Sequence, residues 1–495
     1  MNNRGANNNA AGANGNKGGA NAMGANKNGN KGAEAMGANK NGNKGADAAG
    51  NKGAMGANKG GPNARGGNAA AANRRGPPTT TREIKTRSGA TVQASFRGGH
   101  VREIQAHNMR IQRGVGGQRR IVTERNGRRI VSVGARRGYM ERPYFNRGGR
   151  AYVQRTYYMG GRRYAYAYRT YYYGGRPYYG YAPAYYYRPA YYGWAYNPWP
   201  QPVYYQWGYY NEPWYGYYNN YYAPYPSYPT ASSWITDYMV AENLKAAYEA
   251  AQTKAQANPP GPLHFTHSQS LDAAAWFTGP EWAGKNLEAG YEGRLGGGAA
   301  PAAAPKTGAK LTPEVKQAIA DQVKEEIAAE KSAAENSSQT TAKGGDDALP
   351  VLDPKRRIFI VSSPLDLTSS DGDDCGVSEG DVLERTGDSV DSDNNIAVTV
   401  KSSKKDDCAV GTTTTVDASD LQEMHNHFRE LMDTGLKTLA DNSGKNGLPK
   451  APDTTTTSGE VPPPSADSNV DSDLQQQQKD ADQTEAEVQQ DSGNQ

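Results

Sequence analysis

Tyrosine is the residue that most limits what this chain can fold into. Of its 34 tyrosines, 31 lie between Tyr139 and Tyr228, and short runs of β-forming residues alternate with glycine pairs through this part of the sequence. Asn126-Gly127 separates two such runs, and this dipeptide suits a two-residue hairpin because both residues tolerate positive φ. We therefore predict an antiparallel β-meander over residues 81–176.

Arginine accompanies tyrosine along these strands. The sequence Arg-Thr-Tyr-Tyr at Arg155 returns at Arg169, and the strand period of two puts every second tyrosine on one face. Tyr rings with Arg beside them make aromatic and cation–π contacts, and such a face is too polar for a dry core. The Tyr/Arg pattern therefore predicts a partly solvated sheet surface or an interface between chains. The residues assigned to the interaction are Arg155, Tyr157, Tyr164, Tyr166, Tyr168, Arg169, Tyr171, Trp194 and Trp199.

Much of the remaining chain is of low complexity. Residues 1–78 form an Asn/Gly/Ala/Lys tract with a 13-residue repeat and little to bury, which predicts disorder. Residues 177–231 combine Tyr, Pro and Trp, and they predict either an extended, polyproline-like chain or a sticky disordered segment. Residues 253–310 are a predicted linker. The acidic, Gln-rich residues 443–495 also predict disorder.

Ordered elements are expected in the second half of the chain. Capping signals and apolar stripes predict isolated amphipathic helices over residues 233–252 and 312–334. Between residues 350 and 442, several short strands are followed by another helix, which predicts a small barrel-like or roll domain. Cys375 and Cys408 precede two of these strands in similar acidic turns. We expect a disulfide between them and an oxidising compartment, and two unrelated free thiols are the alternative.

Charge is distributed unevenly along the chain. Residues 1–232 hold 34 Lys and Arg against 7 carboxylates, a net charge of +27, while the remainder carries −22. This asymmetry is typical of a polyanion-binding arm with an acidic tail, of head-to-tail attraction between copies, or of two solvated halves without a partner. Arg-Gly-Gly triplets at Arg65, Arg97 and Arg147 resemble RNA-binding segments, although the same glycines fit hairpin turns.

No catalytic motif is found in the sequence. Fingerprints of a P-loop, a Rossmann fold and a nucleophile elbow are absent. His425 and His427 are two apart on a predicted helix and cannot share a metal, and residues 388–393 lack the Gly and Glu of a calcium loop. We expect no enzyme activity, cofactor, metal site or small-molecule substrate. No apolar run predicts a membrane span or a signal peptide, so a cytoplasmic location is the alternative to export.

Most of the chain after the Asn/Gly tract resembles known proteins. The resemblance covers the stretch from about residue 82 to residue 251, including Tyr-Gly-Trp-Ala-Tyr-Asn-Pro-Trp ending at Trp199 and Tyr-Pro-Thr-Ala-Ser ending at Ser232. It also covers Leu-Thr-Pro-Glu-Val-Lys-Gln-Ala-Ile ending at Ile319 and residues 359–439. These segments are similar to a group of exported, Tyr-rich bacterial proteins with no assigned activity. The resemblance implies export and provides no functional residue. It favours a non-catalytic structural and interaction protein of the bacterial envelope or exterior, whose Tyr/Arg-rich region contacts a surface, a polymer or other copies of itself. The alternative is a nucleic-acid or polyanion-binding protein.

Overall fold

The computed structural model describes most of the chain after residue 78. The described residues are 79–85, 91–97, 100–106, 108–114, 119–134, 137–159, 161–257, 309–336, 348–369, 374–404 and 408–492. They belong to one compact unit that spans residues 68–495. The predicted disorder of residues 1–78 lies outside the described residues, as does nearly all of the predicted linker.

Ten consecutive strands form one antiparallel sheet, in which each strand pairs only with its neighbours in the sequence. This confirms the predicted meander. Asn126 and Gly127 adopt φ angles of 53° and 70° between the fifth and sixth strands, as a two-residue hairpin of this kind requires. The strands are Thr79–Lys85 (β1), Thr91–Arg97 (β2), His100–Ala106 (β3), Met109–Arg113 (β4), Arg119–Arg125 (β5), Arg128–Val133 (β6), Gly138–Arg147 (β7), Arg150–Met159 (β8), Arg162–Tyr173 (β9) and Arg176–Ala182 (β10).

The C-terminal part of the chain is ordered and covers one face of this sheet. Its last helix, Val470–Ser492, packs against Ile, Val and Met side chains of β1 to β7. This corrects the expected disorder of residues 443–495. That expectation followed from the acidic and Gln-rich composition and overlooked a sparse apolar stripe at helical spacing. The buried residues of the stripe are Val470, Leu474, Ala481 and Val488.

A second helix, Ala418–Asp441, covers the opposite face of the sheet over β7 to β10. Strand alternation shows that the two faces differ: Gln154 and Thr156 of β8 bind the C-terminal segment, while Arg155 between them binds this helix. The side chain of Asn426 hydrogen-bonds the backbone of β10, accepting from the Tyr181 amide at 2.9 Å. The helix therefore also occupies part of an edge strand that would otherwise be open to pairing.

Residues 350–442 contain a four-stranded antiparallel sheet and a separate hairpin. The closure of these strands into a barrel or roll stays a prediction. Their apolar core includes Phe359, Leu383 and Leu421, and it also takes in Tyr178 from β10. This segment therefore shares its core with the meander. The sheet contains Ile358–Ile360 (β12), Val382–Arg385 (β15), Asn395–Ser402 (β16) and Thr413–Asp417 (β17), and the hairpin contains Leu365–Thr368 (β13) and Asp374–Val377 (β14).

The structure contains the expected disulfide. Cys375 lies in β14 and Cys408 lies before β17, with their Sγ atoms 2.09 Å apart and their Cα atoms 4.9 Å apart. Cys408 is fully buried in the core of this segment, so the bond joins the hairpin to the four-stranded sheet from inside.

The Tyr/Pro/Trp-rich segment folds into the largest apolar cluster of the described chain, which corrects the extended or disordered chain expected for residues 177–231. Pro189 and Pro213 begin helices instead of breaking them, because proline suits the first helical turn. Within the cluster, Trp207 stacks on Trp234 with ring centroids 4.9 Å apart. Its elements are Tyr185–Tyr187 (β11), which pairs with Thr456–Ser458 (β18), and the helices Pro189–Tyr196 (α1), Pro213–Tyr218 (α2), Ala231–Ala257 (α3) and Pro313–Asn336 (α4).

The helices α3 and α4 occupy the positions predicted for residues 233–252 and 312–334, and Ala418–Asp441 and Val470–Ser492 are α5 and α6. In the described part of the chain, no helix is both long and apolar enough to cross a membrane.

Candidate interaction groove

Arg155 lies between the sheet and α5 with no exposed surface. Its Nε donates to Glu141 at 2.6 Å, and its Nη1 and Nη2 donate to both carboxylate oxygens of Glu423 at 2.5 and 2.9 Å. The guanidinium carbon also lies 4.7 Å from the ring centre of Tyr139 and 4.3 Å from that of Tyr168. Each of the three guanidinium nitrogens of this arginine thus donates to a carboxylate within the chain, and two tyrosine rings lie against it.

The electrostatics of this cluster follow from its burial. Burial alone would raise the pKa of Glu423, but the charge and hydrogen bonds of Arg155 hold that pKa below its usual value. Burial and the neighbouring Glu430 raise the pKa of the Tyr168 hydroxyl, which donates a short hydrogen bond to that carboxylate. The cluster is a buried ion pair that fixes α5 on the sheet.

Most residues assigned to an interaction surface therefore have partners inside the molecule. Arg155 and Tyr168 are fully buried, and Trp199 is 5% exposed within the aromatic cluster. Of the remaining residues, Tyr157, Tyr164 and Tyr166 pack against one another, whereas Arg169, Tyr171 and Trp194 take no part in these ring contacts. Tyr166 packs on Tyr181, Arg169 lies over Tyr171 of its own strand, and Trp194 packs on Tyr191 and Trp199. Tyr157 and Tyr164 stack with centroids 5.2 Å apart and line a small cavity.

A groove of 1760 Å³ opens over β3 to β6 beyond the start of α5, and its lining extends around the sheet to Gln478 and Asp482 of α6. Its floor carries polar side chains that point away from α6, including Gln112, Arg120 and Glu124. Its walls are the last turns of α3, residues 364–366 and the first turn of α5. Arg120 binds Asp420 across the junction of floor and wall at 3.1 Å.

The groove is highly charged but nearly neutral overall. Seven arginines and eight carboxylates line it. Glu103 accepts two hydrogen bonds from Arg110 at 3.0 and 2.9 Å, and Glu379 binds Arg137 at 2.5 Å. Among the described residues, no carboxylate lies within ion-pair distance of Arg129, which lines the groove and lowers the pKa of Glu423 from a longer distance. The groove can offer many hydrogen-bond donors and acceptors without a strong net field.

The inner end of the groove continues into a cavity of 100 Å³ under α5. Both are lined by Arg120, Arg137 and Asp420, and the cavity adds the stacked rings of Tyr157 and Tyr164. Burial, followed by the Glu430 charge, raises the pKa of Tyr164, so its hydroxyl stays protonated as a donor. Aromatic faces beside charged side chains are typical of sites that orient a polar ligand.

The sequence identified the tyrosines of this cavity but missed its acidic side. Glu423, His427 and Glu430 lie at positions three or four apart on α5, so they share one helical face with Asp420. Polar residues at helical spacing opposite the apolar stripe were the available signal. That spacing ordinarily indicates a solvated face, and only the position of α5 on the sheet turns it into a wall of the groove.

No protein-family model, curated protein or solved structure matches the chain. Among the described residues, no three His, Cys, Asp or Glu side chains come together as a metal site would require.

Proposed function

We propose that this chain is a non-catalytic binding protein of the bacterial envelope or exterior, and that its groove holds an extended, uncharged polar polymer, namely a polysaccharide. The observation that carries the proposal is the near balance of seven arginines and eight carboxylates in a groove that ends in a tyrosine-lined cavity. Arginine and carboxylate side chains supply the donors and acceptors that hydroxyl groups need. Tyrosine rings supply apolar faces for sugar rings, with a hydroxyl at the edge.

A nucleic acid fits this groove less well. Polyanion binding depends on cations that neutralise phosphates and release counterions. Here the carboxylates outnumber the arginines, and Arg110, Arg120 and Arg137 already hold carboxylates of the chain. The positive charge of the arginines in the groove is therefore largely cancelled by carboxylates of the same chain.

The disulfide between Cys375 and Cys408 supports export, because such bonds persist in oxidising compartments and are rare in the bacterial cytosol. On this basis we propose a location outside the cytoplasmic membrane.

The proposal can be tested by co-sedimentation of the full-length chain with insoluble polysaccharides: peptidoglycan sacculi, cellulose and chitin. Binding to at least one of them should change little between low and high salt. Arg129→Ala should weaken that binding roughly fivefold, the value of one hydrogen bond of about 1 kcal/mol. Arg128→Ala is the matched control, since Arg128 points to the opposite face and lies 3.7 Å from Asp473 of α6.

Two results would contradict the proposal. One is tight RNA binding that collapses at high salt with no polysaccharide retained, which would favour the polyanion-binding alternative. The other is an equal loss of polysaccharide binding in Arg128→Ala and Arg129→Ala, which would place the binding surface outside the groove.

A further inference from the structure

A lysine and an aspartate meet in the interior of the aromatic cluster. Asp237 of α3 is fully buried and Lys316 of α4 is 5% exposed, and the Lys316 Nζ lies 2.7 Å from the Asp237 Oδ1. The Cγ–Oδ1 bond is only ~1.2 Å long, so the distance from Nζ to Cγ is at most about 4 Å. We propose that these two side chains condense into an intramolecular amide, an isopeptide bond between Lys316 and Asp237.

The two carboxylate oxygens of Asp237 are in different surroundings. Oδ2 accepts hydrogen bonds from the backbone amide of Tyr225 at 2.5 Å and from the hydroxyl of Tyr228 at 2.7 Å. The indole of Trp207 donates to the same Tyr228 hydroxyl at 2.6 Å, which orients its proton toward Oδ2. Two fixed donors on one oxygen are the arrangement that stabilises the oxyanion of an acyl-transfer intermediate. Oδ1, the oxygen beside Lys316, is the one free to leave.

The condensation balances without any further reactant. Nζ first passes one proton to Oδ1, which converts the ion pair into an amine and a carboxylic acid. The nitrogen lone pair then attacks Cγ, and the negative charge develops on Oδ2 between its two donors. A second proton moves from nitrogen to Oδ1, the Cγ–Oδ1 bond breaks, and one water molecule departs. The product is a neutral amide that keeps Oδ2 as its carbonyl oxygen.

The surroundings favour the neutral forms that this reaction needs. Burial raises the pKa of the Asp237 carboxyl and lowers the pKa of the Lys316 ammonium. Lys316 also lies in the first turn of α4, where the helix dipole opposes a positive charge. Nζ is positioned by a hydrogen bond to the Ala223 carbonyl oxygen at 2.8 Å and lies 3.7 Å from the ring centre of Tyr225. Reacting groups fixed in this way gain most of the entropic advantage of an intramolecular reaction.

A second buried pair provides an internal comparison. Lys404 and Asp381 are both buried, with Nζ 3.2 Å from Oδ1. In that pair the oxygen nearest the lysine also accepts a hydrogen bond from the Lys404 backbone amide at 2.8 Å, and Oδ2 accepts from the Ser378 amide. Because the oxygen that would have to leave is itself held, this pair should stay an ion pair.

The test is mass spectrometry of the full-length protein. After reduction of the Cys375–Cys408 disulfide, its intact mass should be lower than the sequence mass by one water molecule, and a protease digest should contain one branched peptide that joins Asp237 to Lys316. The intact mass of Lys316→Arg should show no such deficit, because a guanidinium cannot form this amide. Lys404→Arg, the matched control, should keep the mass deficit.

Three results would overturn the proposal: wild-type protein whose Asp237 and Lys316 peptides are recovered only in unlinked form, a deficit that persists in Lys316→Arg, or a linked peptide that maps to Lys404. The wild-type measurement requires no variant to fold, so the proposal remains testable if the substitutions destabilise the aromatic cluster.

Discussion

Arg155 of β8 and Glu423 of α5 form a two-bond ion pair across 268 residues of sequence. Removing the guanidinium would leave Glu141 and Glu423 without their buried partner. We therefore expect Arg155→Leu to lower the free energy of unfolding by about 3–5 kcal/mol, as breaking a buried pair usually does. Denaturant titration monitored by tryptophan fluorescence measures this.

The control for that experiment is Arg163→Ala on the neighbouring strand. Arg163 is 44% exposed and lies 3.8 Å from Asp471, so this exposed pair should contribute no more than about 1 kcal/mol. Equal losses from the two substitutions would show that Arg155 does not fix α5 on the sheet.

The C-terminal helix should stabilise the meander through one amide side chain. Gln477 is buried, donates to Thr123 at 2.9 Å and to the Ile130 carbonyl oxygen at 2.8 Å, and accepts from Ser132. Gln477→Ala leaves these groups unsatisfied and should cost about 1–3 kcal/mol. Gln476→Ala is the matched control, because the exposed Gln476 donates its side-chain hydrogen bond to Asp480 of its own helix, at 2.8 Å. Protease cleavage after residue 470 that is equally fast in wild type and Gln477→Ala would argue against docking.

Loss of the disulfide should destabilise the C-terminal strands. Cys375 and Cys408 are 33 residues apart, and a loop of this size corresponds to about 3–4 kcal/mol in the chain-entropy model. Cys375→Ser should lower the unfolding free energy by that amount relative to oxidised wild type. Adding reductant should have no further effect on the variant, whereas a variant as stable as wild type would indicate that the bond does not constrain the unfolded chain.

The chain should lose stability in mild acid because of one histidine. His425 is buried beside Glu326, Arg356 and Arg429, and burial, reinforced by the two arginine charges, lowers the pKa of its ring. The unfolded chain binds this proton near pH 6.5 and the folded chain only at lower pH, so stability is lost as pH falls below about 6.5.

We expect His425→Gln to flatten the dependence of unfolding free energy on pH between about 6.5 and 5, by no more than ~1.4 kcal/mol per pH unit, the limit for one proton. His427→Gln, at the more exposed histidine of the same helix, should retain the wild-type slope. A slope that is unchanged in His425→Gln would assign the acid sensitivity to another group.

Local sequence signals predicted local structure well. Asn126-Gly127 and the glycine pairs predicted the turns of the meander because positive φ is a property of single residues. The apolar stripes of α3 and α4 also predicted their helices, because helical periodicity can be read within one short segment. The position of α6 could not be predicted this way, because its stripe of four buried residues gains its energy only against a sheet formed more than 300 residues earlier.

The candidate groove was predictable only in part. Tyr157 and Tyr164 stood out by alternation, yet the same alternation selected Arg155 and Tyr168, which α5 buries. Whether a polar strand face is solvated or covered by a helix depends on long-range packing. The local sequence of β8 and β9 would look the same for either outcome. The eight carboxylates that neutralise the arginines of the groove carry the missing information, and they come from separate parts of the chain: two strands of the meander, α3, residues 366–420 and α6.

The order of the strands also determines when folding can finish during synthesis. Strands β1 to β10 pair only with sequence neighbours, so the sheet can assemble progressively as the nascent chain emerges. Its covers, α5 and α6, are translated only after the entire central region. If translation stops before residue 418, the released chain therefore has an uncovered tyrosine-rich sheet face, which promotes aggregation with other copies. Only a full-length chain can cover both faces of the sheet, so truncated chains should remain susceptible to proteolysis.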